Sequence, residues 1–175
     1  MSKKISIIKR NVKYTRLEVN LDGLKIIAPR GVKVDKKTVL QEHQRWLQNK
    51  ENRLKEIKEI SLKLEFYEHD NLEKIINFYI EKIGMILKSK PKKIVFRKMK
   101  VRWGSCYSEK GIIIFNKFLK YLPEELISYI VLHEMCHLII KNHKKEFWLL
   151  VRKLDPKFKE KEKLLAGYRL KLNLI

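Results

Sequence analysis

The order of apolar and polar positions divides this chain into a strand-like beginning and a helical remainder. From Lys3 to Pro29 the pattern is short and β-like: KYTRLEVN alternates charged and apolar residues, and LDGLKIIAP supplies an Asp-Gly turn at Asp22 and Gly23. Two or three antiparallel strands are expected there. Asp35 is placed to cap a long helix through KTVLQEHQRWLQNKENRLKEIKEI, where Val39, Leu40, Trp46, Leu47, Leu54 and Ile57 recur at near-helical intervals. Asp70 followed by Glu73 has capping-box spacing ahead of IINFYIEKIGMILK, with Pro91 as its stop. KKIVFRKMKVRWGSC and GIIIFN predict two strands joined by a turn at Ser108 to Gly111. Pro123, with Glu124 and Glu125 beside the positive end of the dipole, opens a helix that is apolar nearly all round and therefore buried. HKKEFWLLVRKLDP is a last amphipathic stretch ending near Pro156, followed by a charged tail. Three regions result: a β-hairpin region over 1–33, a helical segment over 34–90 and a core over 91–175.

The buried helix carries the chemistry. His133 and His137 stand four apart, so they lie on one helical face about a turn apart, where two imidazoles can converge on one ion. With Glu134 they form His-Glu-x-x-His. Zinc held by two imidazoles and a third ligand keeps a water in its open position and lowers its pKa toward neutrality. Glu134, one residue on, projects beside such an ion, in place to accept the water's proton and pass it to a leaving amine. The same five residues also occur by chance in unrelated helices. Against that reading, two histidines and a glutamate in an otherwise apolar helix are costly to bury without partners.

The third ligand is open at this point. His143 lies six residues beyond His137, and six residues rotate a helix by about 600 degrees, so the chain must bend first. Asn142, of a residue type that tolerates the left-handed conformation, is the expected bend. Metzincins share the six-residue offset but turn at a glycine, and Ile140 stands at that position here.

Four segments in order, VRWGSC, GIIIFN, HEMCHL and NHKKEFW, resemble the YgjP-like metallopeptidase family of zincins and, more distantly, SprT- and Wss1-type proteases. The resemblance covers roughly residues 92–155 well and the N-terminal third loosely. It implies an α+β zincin-like fold, with a small antiparallel sheet packed on the buried HExxH helix, preceded by the β-hairpin region and long helix. It also implies a zinc peptidase with His133, His137 and His143 as metal ligands and Glu134 as the catalytic acid/base. Where the family tends to read Asn-Trp-Arg after the second strand, this chain has Asn116, Lys117 and Phe118.

Arg102, Trp103, Gly104 and Ser105 would border the cleft and meet an extended substrate, Gly104 allowing close backbone approach and Arg102 steadying an oxyanion or the substrate. A core role for Trp103 and an ion-pair role for Arg102 weigh about equally. Asn116 is expected to hold the helix through backbone hydrogen bonds, Cys136 to be a small buried hydrophobe, and Phe147 and Trp148 to pack behind the site. His43 and His69 lie in charged contexts and are expected to be solvated.

Composition adds a partner class and a compartment. Lys and Arg outnumber Asp and Glu 41 to 20, for a net charge of +21, which suits polyanions, although a Lys-, Glu- and Ile-rich surface is also a thermophile habit. Eight basic residues between Leu87 and Ser108, with no acidic one, lead toward the cleft, but stacking aromatics are sparse among them, so any nucleic-acid contact would be nonspecific. Two cysteines make no disulfide framework, and no run approaches eighteen apolar residues, so a cytoplasmic protein without a membrane span is expected. Peptide or protein is the expected substrate. A DNA-associated protease and a non-enzymatic, zinc-stabilised binding module remain the alternatives.

Overall fold

The computed structural model describes residues 4–20 and 23–172, which divide within one helix into two compact units, residues 1–59 and 60–175. The first unit holds β1 (Lys4–Arg10), β2 (Arg16–Asn20) and β3 (Gly23–Pro29), then α1 (Lys36–Glu42) and most of α2 (Gln44–Lys63). β3 is the central strand: it pairs antiparallel with β2 but parallel with β1. The expectation of antiparallel strands is thus corrected for β1. Residues 11–15 cross to the far edge of the sheet before β2 begins, and a chain that skips over a neighbour in this way returns parallel to it. Asp22 of the expected Asp-Gly turn lies outside the described residues. Gly23 has φ +140°, and a Cβ there would come 2.1 Å from the Lys4 carbonyl oxygen, so only glycine serves. Ile26, Ile27 and Ala28 of β3 are fully buried, a central strand covered on both faces.

Asp35 caps α1 as expected, its carboxylate accepting from the Lys37 and Thr38 amides. The single long helix is broken at His43 into α1 and α2.

The second unit begins within α2 and continues with α3 (Leu72–Leu87), β4 (Lys93–Arg97), β5 (Gly104–Tyr107), β6 (Ile112–Asn116), α4 (Glu124–Cys136), α5 (Lys145–Leu154) and α6 (Phe158–Lys171). α3 starts after Asn71, and Asp70 does not cap it. The approach is pinned elsewhere: Tyr67 and His69 donate their amides to the Tyr121 and Lys120 carbonyls, and the His69 ring lies 2.9 Å from the Leu122 carbonyl. His69 is therefore a partly buried, hydrogen-bonded residue and not a solvated one, whereas His43 is exposed. α3 ends at Lys88, which takes the left-handed conformation (φ 51°), ahead of Pro91.

The expected first strand of the sheet is two strands, β4 and β5, split by residues 98–103. β6 lies between them, antiparallel to β5 and parallel to β4, so this sheet too is mixed where an antiparallel one is expected. The turn at Ser108–Gly111 is present, with Gly111 at φ +63°. α4 packs against α3, β5, α5 and α6, at the centre of a core that includes Ile76, Phe115, Leu126, Met135, Phe147 and Tyr168. The expected charged tail is instead helix α6, which buries Phe158, Leu165 and Tyr168. Lys161 of α6 ties it down through Asp155 at 2.7 Å and Glu125 at 3.3 Å. No helix among the described residues is long and apolar enough to cross a membrane.

Candidate metal centre

α4 presents its chemistry at its C-terminal end. Pro123 at the N-cap fixes the entry angle, and Glu124 and Glu125 favour the positive end of the dipole. Nine of the thirteen helical residues are buried, Glu134 among them. The helix stops at Cys136, sooner than expected: Leu138 and Ile139 donate to the Met135 and Cys136 carbonyls, tightening the last turn. The bend is therefore over residues 137–139. Asn142 is not left-handed, Lys88 being the only non-glycine residue with positive φ among those described. Asn142 instead accepts the Lys144 amide on its Oδ1, at 3.2 Å, and so shapes the approach to α5.

This turn brings His143 back over the end of α4. His143 Nε2 lies 3.0 Å from His133 Nε2 and 3.1 Å from His137 Nε2. Tetrahedral zinc with bonds of about 2.0–2.1 Å sets its nitrogen ligands roughly 3.3 Å apart, and with the ligand atoms of all three histidines within 4.8 Å of one another the group could hold a single small ion. The His137 Nδ1 is 3.0 Å from the Ile140 carbonyl, which accepts its proton and leaves Nε2 with a free lone pair. Burial pushes the His133 imidazole down to about 3, helped by His137 and His143, and burial lowers the other two as well. All three rings are thus neutral at physiological pH, the form that binds a metal.

Aromatic residues of α5 fix the ring planes. Phe147, fully buried, stacks on His137 with centroids 4.3 Å apart, and Trp148 stacks on His143 at 5.5 Å. Tyr129, one turn before His133, packs edge-on to it at 6.1 Å. The sequence reading passed over Tyr129, although its four-residue spacing from His133 marks it as a neighbour.

Glu134 is 7 % exposed, and burial raises its carboxyl to about 8 while the Arg102 charge pulls the other way. Against it lies the backbone of Gly104: a Cβ there would stand 2.6 Å from both Glu134 Cγ and Oε1. Trp103 is buried in the core with its Nε1 unpartnered, Arg102 is exposed, and Ser105 is half-buried in β5, an edge strand. Asn116, fully buried, holds residues 99–102 and not the helix. Its Nδ2 donates to the Met99 and Arg102 carbonyls at 2.8 and 2.7 Å, and its Oδ1 accepts the Met99 and Phe118 amides. Cys136 is fully buried, and burial drives its thiol up to about 12. Cys106 is half-buried, its thiol raised to about 11 by burial and the Glu134 charge.

No curated protein matches the chain. One solved structure it resembles is that of the metallopeptidase zymogen of Pyrococcus abyssi abylysin, 24% identical, covering 56% of this chain and 95% of that one at a TM-score of 0.48. The model of the YgjP-like, metallopeptidase domain matches residues 57–168, well over half the chain and all of α3 to α5, and the chain belongs to that family of metal-dependent peptidases.

Proposed function

We propose that this metallopeptidase holds zinc on His133, His137 and His143 and hydrolyses peptide bonds with Glu134 as general base and then general acid. The observation that carries this is the convergence of three neutral imidazoles, His143 Nε2 about 3 Å from the Nε2 of each of the other two and the ligand atoms of all three within 4.8 Å of one another, with the buried carboxyl of Glu134 beside them. A three-nitrogen donor set suits zinc, which when bound supplies Lewis acidity toward the scissile carbonyl and acidity to water. Glu134 takes the proton of the attacking water and delivers it to the departing amine. Its raised pKa suits both duties, since a carboxyl poised near neutrality accepts and returns a proton at small cost. Gly104 leaves the carboxylate room against β5. The exposure of Arg102, two residues before β5, supports its role in steadying the substrate carbonyl.

The test is metal content of protein purified without chelator or histidine tag, read together with casein cleavage. About one zinc per chain is expected, lost in His143→Ala, whereas Glu134→Gln keeps the metal and loses turnover by roughly 100-fold or more. Metal-free protein, or a Glu134→Gln variant that cuts like wild type, would overturn the assignment.

A second reading has its own support. Lys88, Lys90, Lys92, Lys93, Arg97, Lys98, Lys100 and Arg102 are all exposed, a basic tract ending at the strand beside Glu134. This suits a peptidase acting on proteins bound to DNA. Cleavage stimulated by DNA at low salt, with the stimulation lost as salt rises, is the expected sign; indifference to DNA removes this reading.

A further inference from the structure

Residues 1–56 lie outside the family match, and within the first unit they build a groove that the catalytic residues do not use. β2 is an edge strand whose only pairing among the described residues is with β3, so half of its main-chain donors and acceptors face away from the sheet. A cavity of about 590 Å³ opens where this edge begins, with Thr15 and Leu17 on the strand side, Val39 and Trp46 on the helical side and Val32 and Lys33 from the loop after β3. Its size is that of a ligand pocket and its walls are mainly apolar. Trp46 is 38 % exposed and Val32 46 %, apolar surface left in water beside a free strand edge.

A free strand edge beside apolar pockets recognises one class of partner, an extended polypeptide, through main-chain pairing and alternate side chains. Charge narrows it further. Residues 1–59 carry sixteen Lys and Arg against seven Asp and Glu, and Lys33 at the groove has no carboxylate partner among the described residues. The groove's own charged lining is balanced, Arg16 and Lys33 against Asp35 and Glu42, with Arg16 paired to Glu18 and Asp35 committed to capping α1, so the preference for an acidic partner comes from the excess positive charge of the whole unit. A second copy of this chain would bring the same positive charge and is disfavoured.

We infer that the β2 edge and its groove dock an extended stretch of polypeptide substrate in which apolar and acidic residues alternate. This rests on the peptidase activity, so the test reads binding in the Glu134→Gln background and checks by mass spectrometry that the peptide stays whole. If that variant still cuts, the proposed role of Glu134 fails while the docking measurement stands.

The probe is a fluorescein-labelled peptide of about eight residues, a strand's length, alternating Leu or Val with Glu, followed by fluorescence anisotropy. Binding is expected, weakened about 10-fold by Trp46→Ala, an exposed site that should fold normally. Lys33→Glu should weaken it too, and alternate N-methylation of the peptide, which removes the amides needed for strand pairing, should abolish it. With Glu134 restored, Trp46→Ala should raise KM for casein and leave kcat and the cleavage of short peptides unchanged. Equal binding by wild type and Trp46→Ala, binding that survives N-methylation, or a concentration-dependent dimer that Trp46→Ala dissolves would each overturn the inference.

Discussion

Gly104→Ala is the sharpest test of how the site is assembled. The added Cβ would sit 2.6 Å from Glu134 Cγ and Oε1 and 2.8 Å from Cδ, where ordinary contact begins at 3.4 Å, so about 0.8 Å of displacement is required. β5 cannot readily supply it. Gly104 is paired with Phe115, and the preceding residue is anchored by the Asn116 amide donating to the Trp103 carbonyl at 2.9 Å. The carboxylate must move instead, and at 7 % exposure it has little free space. A misplacement of this size costs about 100-fold in kcat, or about 2.7 kcal/mol of transition-state stabilisation. Because alanine also restricts the unfolded chain by about 0.4–1 kcal/mol in the folded state's favour, the melting temperature should fall by only a few degrees. The assay is kcat on a fluorogenic peptide, with zinc content and thermal melting on the same samples. A variant that keeps its metal and wild-type kcat would refute the idea that Gly104 makes room for Glu134. Loss of metal would show instead that the whole end of α4 had shifted.

Three further outcomes follow from the burial of charge. In metal-free protein, burial raises Glu134 from its ordinary 4.5 to about 8, so the folded state retains a proton that the unfolded state has released, and stability falls between those pH values. Glu134→Gln should therefore melt progressively higher than metal-free wild type from pH 5 to 8, and parallel melting curves would contradict the shift. His133 works in the opposite sense: lowered from 6.5 to about 3, its contribution is present above pH 6.5 and lost as pH falls toward 3. Lys161→Ala should cost about 1.5–3 kcal/mol, because it leaves Asp155, whose side chain is 12 % exposed, with only the Lys157 amide in place of its 2.7 Å partner. Urea denaturation measures it, and a change below about 0.5 kcal/mol would mark the pair as dispensable.

In the candidate metal centre, two of the three histidines are set by local spacing. His133 and His137 share a helical face by arithmetic alone, and Pro123 with two glutamates marks the start of that helix. His143 entered as a ligand through the family resemblance and, from the local sequence, only as a residue needing a bend, which lies earlier than expected: the carbonyls of Met135 and Cys136, not a left-handed Asn142, end the helix. The other misses share one cause, since each is decided by residues distant in sequence. Nothing in KKIVFRKMKVRWGSC breaks a strand. The break is imposed by Asn116, whose carboxamide and backbone gather Met99, Arg102 and Trp103 from the far side of a turn. Strand direction is equally nonlocal: the sequence neighbours β2–β3 and β5–β6 pair antiparallel, while the parallel partners β1 and β4 depend on which edge the crossing chain reaches. Helix α6 was hidden by its alternating Lys and Glu, which read as a solvated tail until Phe158, Leu165 and Tyr168 are seen to find the core.

These long-range features are also the ones that shape the surroundings of Glu134. By clamping residues 99–102, Asn116 sets where β5 begins, and the start of β5 is Gly104, whose bare α-carbon faces the carboxylate. The imidazoles depend likewise on α5, which turns Phe147 and Trp148 onto them only after the chain has doubled back. Local sequence thus supplies the reactive groups, and contacts remote in sequence supply the rigidity that a site of this kind needs to hold its groups in place before substrate arrives.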